Sequence, residues 1–226
     1  MATLTYYGHA TWGLETQGIS ILIDPFFTGN PMTKVKAAGT AANFIILTHA
    51  HGDHYGDTVE IAKRTGATLI SNFEIVAYCQ KQGVANAHPM HIGGSYAFPF
   101  GRAKLTVAHH GSSFPDGTYG GSPAGILLEI EGRRLYNAGD TALFSDMALI
   151  AQGGLDVAIL PIGDNFTMGP EDAAAAKLLG ARTIIPEHYN TWPVIQQDPQ
   201  AFRRRVEGST DSKVVVLEPG ATFKIP

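Results

Sequence analysis

The chain has 226 residues, 44% of them hydrophobic, and carries a formal net charge of −4 at pH 7. This length and composition predict one globular domain over residues 1–226, without linkers or low-complexity segments. The chain starts without the basic and apolar regions of a signal peptide, and no apolar run is long enough to span a membrane, so we expect a cytoplasmic protein without membrane contact. The only basic cluster, residues 203–205, lies in a predicted surface helix, which argues against nucleic acid as a partner.

In chain order, the hydrophobic pattern predicts short strands and helices in alternation. The strands are expected at 4–7, 13–16, 20–24, 44–47, 68–71, 104–108, 125–130, 134–137, 157–160, 183–185, 213–217 and 222–225. The helices are expected at 57–64, 73–81, 143–151, 170–179 and 199–206. The single cysteine, Cys79, excludes an internal disulfide and is expected to fill apolar space on its helix. Strands in both halves with covering helices favour an α/β fold with two packed sheets.

Residues 48–54, Thr-His-Ala-His-Gly-Asp-His, directly follow an apolar strand and predict a metal site. Alternate residues of an extended segment face the same way, so His49 and His51 can converge on one ion. Gly52 then permits a turn, after which Asp53 and His54 can face a second ion. Nitrogen and oxygen ligands suit two divalent ions, with zinc favoured and manganese, nickel or iron as alternatives. The competing interpretation is a polar loop whose histidines cap a helix.

The His-x-His-x-Asp-His pattern resembles the signature of the metallo-β-lactamase superfamily. That resemblance implies a four-layer αββα sandwich, of class α/β (α+β), with a dinuclear site. It also implies three further ligands, each in a loop after a strand: His110, Asp140 and His188. Of the adjacent His109 and His110 only one can face the ions, and we assign His110 as the ligand and His109 to packing.

A carboxylate can give one oxygen to each of two cations, so Asp140 is the expected bridge between the ions. The alternative for residues 139–141 is a helix N-cap before Leu143, a role that Thr141 could fill beside a ligand aspartate.

Further blocks narrow the resemblance to small single-domain metal-dependent hydrolases of the UPF0173-like kind, which are related to ascorbate-6-phosphate lactonase-like proteins. These blocks are residues 7–10, 24–26, 89–94, 139–144 and 161–173.

The expected activity is hydrolysis of an ester or lactone bond in a small, anionic metabolite by a metal-bound hydroxide. Asp53 and Asp140 are the expected catalytic residues, and no side-chain nucleophile is needed. One alternative is a phosphodiesterase of the same superfamily. An alternative of another class is a metal-binding sensor or scaffold without turnover.

Substrate contacts are expected from residues in or near these motifs, each of which also has a structural explanation. The candidates are His9, His91, Asn165, Met168 and Tyr189. A lone histidine is often a hydrogen-bonded structural residue, and a buried tyrosine often packs in the core. The apolar segment 192–195 could form a groove wall or a contact in a homo-oligomer.

Overall fold

Two seven-stranded sheets face each other in the computed structural model of the chain, which describes residues 1–172 and 174–226. The strands, labelled β1 to β14 in order, are Thr3–Gly8, Thr11–Thr16, Ile19–Ile23, Phe44–Ile46, Thr68–Asn72, Ala87–Met90, Ser95–Phe98, Gly101–Val107, Ala124–Ile130, Arg133–Asn137, Val157–Pro161, Thr183–Glu187, Lys213–Val214 and Thr222–Lys224. The first sheet has the order β14-β1-β2-β3-β4-β5-β6, and the second has the order β13-β12-β11-β10-β9-β8-β7.

Each sheet combines an antiparallel part with a parallel part. In the first sheet, β14, β1, β2 and β3 pair antiparallel, and β3 to β6 run parallel. In the second, β7 to β10 pair antiparallel, and β10 to β13 run parallel. Parallel neighbours need a crossover, so helices cover those parts of both sheets.

The helices form two outer layers. The α-helices, labelled α1 to α6, are Gly52–Tyr55, Thr58–Thr65, Phe73–Lys81, Met147–Ile150, Ala174–Leu179 and Pro199–Ser209. Short 3₁₀ helices lie at Ala37–Gly39, Pro170–Asp172 and Pro193–Ile195. Side chains of α2 and α3 pack on the first sheet, and those of α4, α5 and α6 pack on the second. The result is the predicted four-layer sandwich.

Buried side chains from both sheets meet in the central core. Examples from the two sheets are Leu4, Trp12, Ile23, Leu105, Ile126 and Ile159, none of them more than 1% exposed. Cys79 is buried on α3, as predicted, and packs in the outer core beneath α2 and α3. The basic residues 203–205 lie on the exposed side of α6, where each pairs with a carboxylate.

Some predicted elements were wrong in extent. The helix expected at 143–151 is reduced to α4, and Thr141 does not cap it, because its Oγ1 donates to the carbonyl of Ala142. The helix expected at 170–179 is described as Pro170–Asp172 and α5, while Ala173 lies outside the described residues. The strand expected at 213–217 is reduced to β13, and β6 and β7 were not predicted.

The membrane prediction was tested directly. None of the helices in the described part of the chain combines the length and the apolar character needed to cross a bilayer.

Candidate metal centre

The predicted metal ligands come together at the carboxyl ends of four strands. His49, His51, Asp53 and His54 follow β4, and His110 follows β8. Asp140 follows β10, and His188 follows β12. Because these ends lie at one edge of the facing sheets, residues up to 139 positions apart become neighbours.

Three histidines form the first group at this edge. Nε2 of His49 lies 3.0 Å from Nδ1 of His51, and Nε2 of His110 lies 3.2 Å from the same atom. Three ring nitrogens that converge in this way match the ligand set of one zinc-like ion.

Asp53, His54 and His188 form the second group, together with His9. Nε2 of His188 lies 3.7 Å from Oδ2 of Asp53, and Nε2 of His54 lies 3.9 Å from it. His49 and His51, before Gly52, thus lie in the first group, and Asp53 and His54, after it, lie in the second, while His49 and His54 also converge with Asp24.

Asp140 lies between the two groups. Its Oδ2 is 3.4 Å from Nε2 of His110 in the first group. The same oxygen is 3.3 Å from Nε2 of His54 and 3.2 Å from Nε2 of His188 in the second. His109 instead is exposed and contacts the ring of Phe144 edge-on, with ring centroids 5.0 Å apart.

Unpartnered buried atoms test whether the site fits metal ions. Nε2 of His54, Nε2 of His188 and Oδ1 of Asp140 are buried without a hydrogen-bond partner. Leaving such atoms unsatisfied costs about 1–3 kcal/mol each, so they need a ligand. All three are nitrogen or carboxylate donors of the kind that bind divalent ions, and the residues therefore fit the metals that the sequence predicted.

The electrostatics of the site also favour cations. Burial lowers the pKa values of His49, His51 and His110, which keeps their nitrogens neutral and available as ligands. Burial alone would raise the pKa of Asp140, but His188 and His54 hold it well below its usual range. Despite burial, the carboxylate of Asp140 raises the pKa of His188 to about 9. The negative potential that favours a proton on His188 also favours a metal cation.

Asp24 orients one ligand in each group, a role that the sequence analysis did not assign. Its Oδ2 accepts from Nδ1 of His54 at 2.8 Å and from Oγ1 of Thr48 at 2.5 Å. Because Thr48 gives its only hydroxyl proton to Asp24, its Oγ1 must accept from Nδ1 of His49, 3.0 Å away. Both histidines therefore keep Nε2 free for an ion. The Asp-Pro-Phe block at 24–26 was the available sequence signal.

His9 is a buried hydrogen-bond partner of Asp53. Its Nε2 lies 3.0 Å from Oδ2 of Asp53, and its Nδ1 lies 2.7 Å from Oγ1 of Thr191. Burial and the neighbouring His188 lower its pKa to about 4, so the ring is neutral at pH 7. His9 is fully buried, a position that favours a supporting role over the predicted substrate contact.

A cavity of about 230 Å³ opens onto the two groups. Its lining consists of His51, Asp53, His110, Asp140, Phe166, His188 and Trp192. Phe166, which the sequence analysis did not select, lies in the loop after β11 and is 55% exposed.

The remaining substrate candidates lie outside this lining. Met168 and Tyr189 are buried in the core beneath α4, α5 and α6. Asn165 is exposed beside Phe166, and His91 is exposed against the ring of Phe73. For Met168 the expected substrate contact was wrong, because its side chain is buried between the second sheet and its helices.

The chain is similar to known proteins in sequence and in structure. The sequence model of the β-lactamase superfamily domain matches residues 20–189. A UPF0173 metal-dependent hydrolase of Bacillus thuringiensis subsp. konkukian is 53% identical over 98% of this chain and 99% of its own. A UPF0173 metal-dependent hydrolase of Anoxybacillus flavithermus is 56% identical over 91% of this chain and 93% of its own.

The structure of Igni18, a metallo hydrolase from Ignicoccus hospitalis, is similar with a TM-score of 0.89 and 37% identity, covering 100% of this chain and 99% of that one. The fold, the clustered donors and these relatives define a metal-dependent hydrolase. The chain belongs to the metallo-β-lactamase superfamily and, within it, to the UPF0173 metal-dependent hydrolases.

Proposed function

We propose that the enzyme uses two divalent metal ions, zinc by preference, to hydrolyse an ester or lactone bond in a small metabolite. The observation that carries this proposal is the position of Asp140, whose Oδ2 lies 3.2–3.4 Å from donors of both ligand groups. A carboxylate within reach of two ligand groups is the expected feature of a two-ion site, because it can give one oxygen to each ion. Manganese, nickel and iron are alternative occupants with the same donor preferences.

The proposed ligands divide as the geometry suggests. His49, His51 and His110 would hold one ion, Asp53, His54 and His188 the other, and Asp140 both. When bound, the ions would polarise the scissile carbonyl and lower the pKa of water to roughly 7.

The chain's own residues position this chemistry. Asp24 fixes His54 directly and His49 through Thr48, and His9 fixes Asp53. Burial alone would raise the pKa of Asp53, but His54 and His188 hold it well below its usual range, so it is a weak base. The catalytic contribution that we propose for Asp53 is therefore orientation of the attacking water.

The cavity limits the substrate at the reacting bond. About 230 Å³ accommodates a small group, and the rings of Phe166 and Trp192 provide apolar walls that exclude bulk water. The lining contains no lysine or arginine among the described residues, so an anionic group next to the reacting bond would depend on the ions for its neutralisation.

Metal content and activity together test the proposal. We expect about two zinc ions per chain by elemental analysis, and turnover of 4-nitrophenyl acetate or a simple lactone by the zinc-loaded enzyme. Asp140→Asn should lower kcat by roughly 10²–10³-fold, because the bridging charge is lost. Asp211→Asn, at an exposed aspartate, is the matched control.

Three results would change the proposed function or the proposed number of ions. Turnover of bis(4-nitrophenyl) phosphate alone would make the enzyme a phosphodiesterase. Metal binding without hydrolysis of any ester, lactone or phosphodiester would favour a sensor or scaffold. One tightly bound ion per chain, unchanged by Asp140→Asn, would contradict the two-ion arrangement.

A further inference from the structure

The outer face of the second sheet is only partly covered by helices. The helix α4 has only four residues and is about 6 Å long, so it covers a small part of this face. Among the described residues, α4, α5 and α6 pack over the parallel part of the sheet. The outward side chains of β8 are left beside α4 rather than beneath it.

This uncovered area contains a groove of about 370 Å³ between β8 and α4. Its apolar lining includes Ile92, Val107, Leu127 and Leu149. Val107 is 41% exposed and Leu149 is 61% exposed, values that are high for side chains of this type. An apolar groove of this size is suited to binding an apolar ligand.

The groove leads toward the metal centre. A second cavity shares Ile92 and Val107 with it and is also lined by His109 and His110. His110 in turn lines the cavity at the metal centre. Lys104, Val107 and His110 lie on one chain segment, and the path from Lys104 follows β8 for about 10 Å to its end at Val107, three residues before His110.

One charged group at the rim of the groove has no ion-pair partner among the described residues. Lys104 is exposed at the rim, and none of the ion pairs in the described part of the chain includes it. Arg134 differs, because its Nη1 donates to the carbonyls of Gln152 and Gly154.

We propose that this groove binds the distal arm of the substrate. The arm is an apolar acyl chain that lies on Val107, Leu127 and Leu149, with an anionic end group at Lys104. This inference rests on the proposed ester or lactone hydrolysis and narrows its substrate class to amphiphilic esters or lactones with a carboxylate far from the reacting bond. The negative charge of the substrate would then lie at the end of the groove, next to Lys104, rather than in the cavity at the metal centre.

Calorimetric titration with dodecanedioate tests binding without turnover. The wild-type enzyme should bind it, and Val107→Trp, which fills the groove where the two outer cavities meet, should weaken binding roughly tenfold. Lys104→Ala should weaken it about threefold, as expected for one partly exposed ion pair. Lys224→Ala, an exposed lysine on β14, is the control and should bind as the wild type does.

A second variant tests the groove independently, in case Val107→Trp does not fold. Leu149→Glu changes an exposed side chain, and its carboxylate should repel the probe and weaken binding at least as much as Lys104→Ala does. Unchanged affinity in all three groove variants, or no binding by the wild type, would overturn the inference.

Activity separates this inference from the proposed function. The ratio of kcat/KM for the mono-4-nitrophenyl ester of dodecanedioic acid to that for 4-nitrophenyl acetate should fall about tenfold in Val107→Trp. If the enzyme hydrolyses both esters and the ratio of their kcat/KM values is unchanged in Val107→Trp, ester hydrolysis is supported and substrate binding in the groove is contradicted. If the groove variants weaken the binding of dodecanedioate but the enzyme hydrolyses neither ester, the groove is a ligand site and the proposed ester hydrolysis is wrong.

Discussion

His54 donates its Nδ1 proton to Asp24 over 2.8 Å, and this bond determines which nitrogen of His54 faces Asp140. A carboxylate can only accept, so Nδ1 carries the proton and Nε2 points into the site. The same aspartate controls His49 through Thr48. One buried residue therefore sets the tautomers of a ligand in each group.

Asp24→Asn should weaken zinc binding by about 10–100-fold, because an amide can also present a donor to His54. Competition with a chromogenic chelator measures this change. Thr48→Val should weaken only the ion held by His49, since the direct bond from Asp24 to His54 remains. Equal zinc affinity in the wild type and Asp24→Asn would show that the ligands hold their orientation without Asp24.

Gly139→Ala should destabilise the protein and displace the neighbouring Asp140. Gly139 has φ +58°, and a Cβ there would lie 2.9 Å from the carbonyl oxygen of Ala124 and 3.0 Å from the side chain of Thr48. Gly132, with φ +75°, has nothing within 4 Å of such a Cβ, so Gly132→Ala imposes backbone strain alone. Urea unfolding should show Gly139→Ala to be less stable than Gly132→Ala by about 1–3 kcal/mol. Similar losses in both variants would mean that the loop relaxes away from Thr48.

Phe166→Ala should raise KM several-fold while leaving the free energy of unfolding within about 0.5 kcal/mol of wild type. The ring lines the metal cavity but is 55% exposed, so it contributes more to substrate contact than to the core. Tyr119→Ala, at an aromatic residue that is 67% exposed and outside the cavity lining, provides the comparison. A large loss of stability in Phe166→Ala would identify the ring as structural.

Cys79 should make stability fall in alkaline solution. Burial raises the pKa of its thiol from 9.0 to about 12. The unfolded chain therefore loses this proton first, and the stability present below pH 9 is lost progressively as pH rises toward 12. Between pH 8 and pH 10 the wild type should lose about 1.4 kcal/mol relative to Cys79→Ala. Parallel pH profiles of the two proteins in urea unfolding would contradict this.

Much of the fold was predictable because its buried strands are continuous apolar runs. β4, β11 and β12 are examples, and each also precedes a ligand or a cavity residue. β6 and β7 were missed because they lack such runs: β6 contains His88 and Pro89, and β7 is largely exposed. α4 was predicted too long, because apolar residues 143 and 144 pack on the outer core without helical backbone.

The donor residues that cluster at this edge of the sheets were predictable in identity from their spacing and from the family resemblance. Their grouping around Asp140 is seen only in three dimensions, since His110 and His188 come from the second sheet. Asp24 and Phe166 lie in the blocks 24–26 and 161–173, but the sequence does not give their roles, because one acts through a buried hydrogen bond and the other through its position beside the cavity. Local sequence carries neither kind of information.

The origin of the donors in different halves of the chain has a further consequence. His49, His51, Asp53 and His54 follow a strand of the first sheet, whereas His110, Asp140 and His188 follow strands of the second. Ions held between them would act as reversible cross-links that close long loops. A disulfide has the same effect in other proteins, but this chain has a single cysteine and forms no internal disulfide. Stripping the metal should then expose the seam between the two sheets to proteases before it unfolds either sheet. The same ions would take part in the reaction and hold the two sheets together.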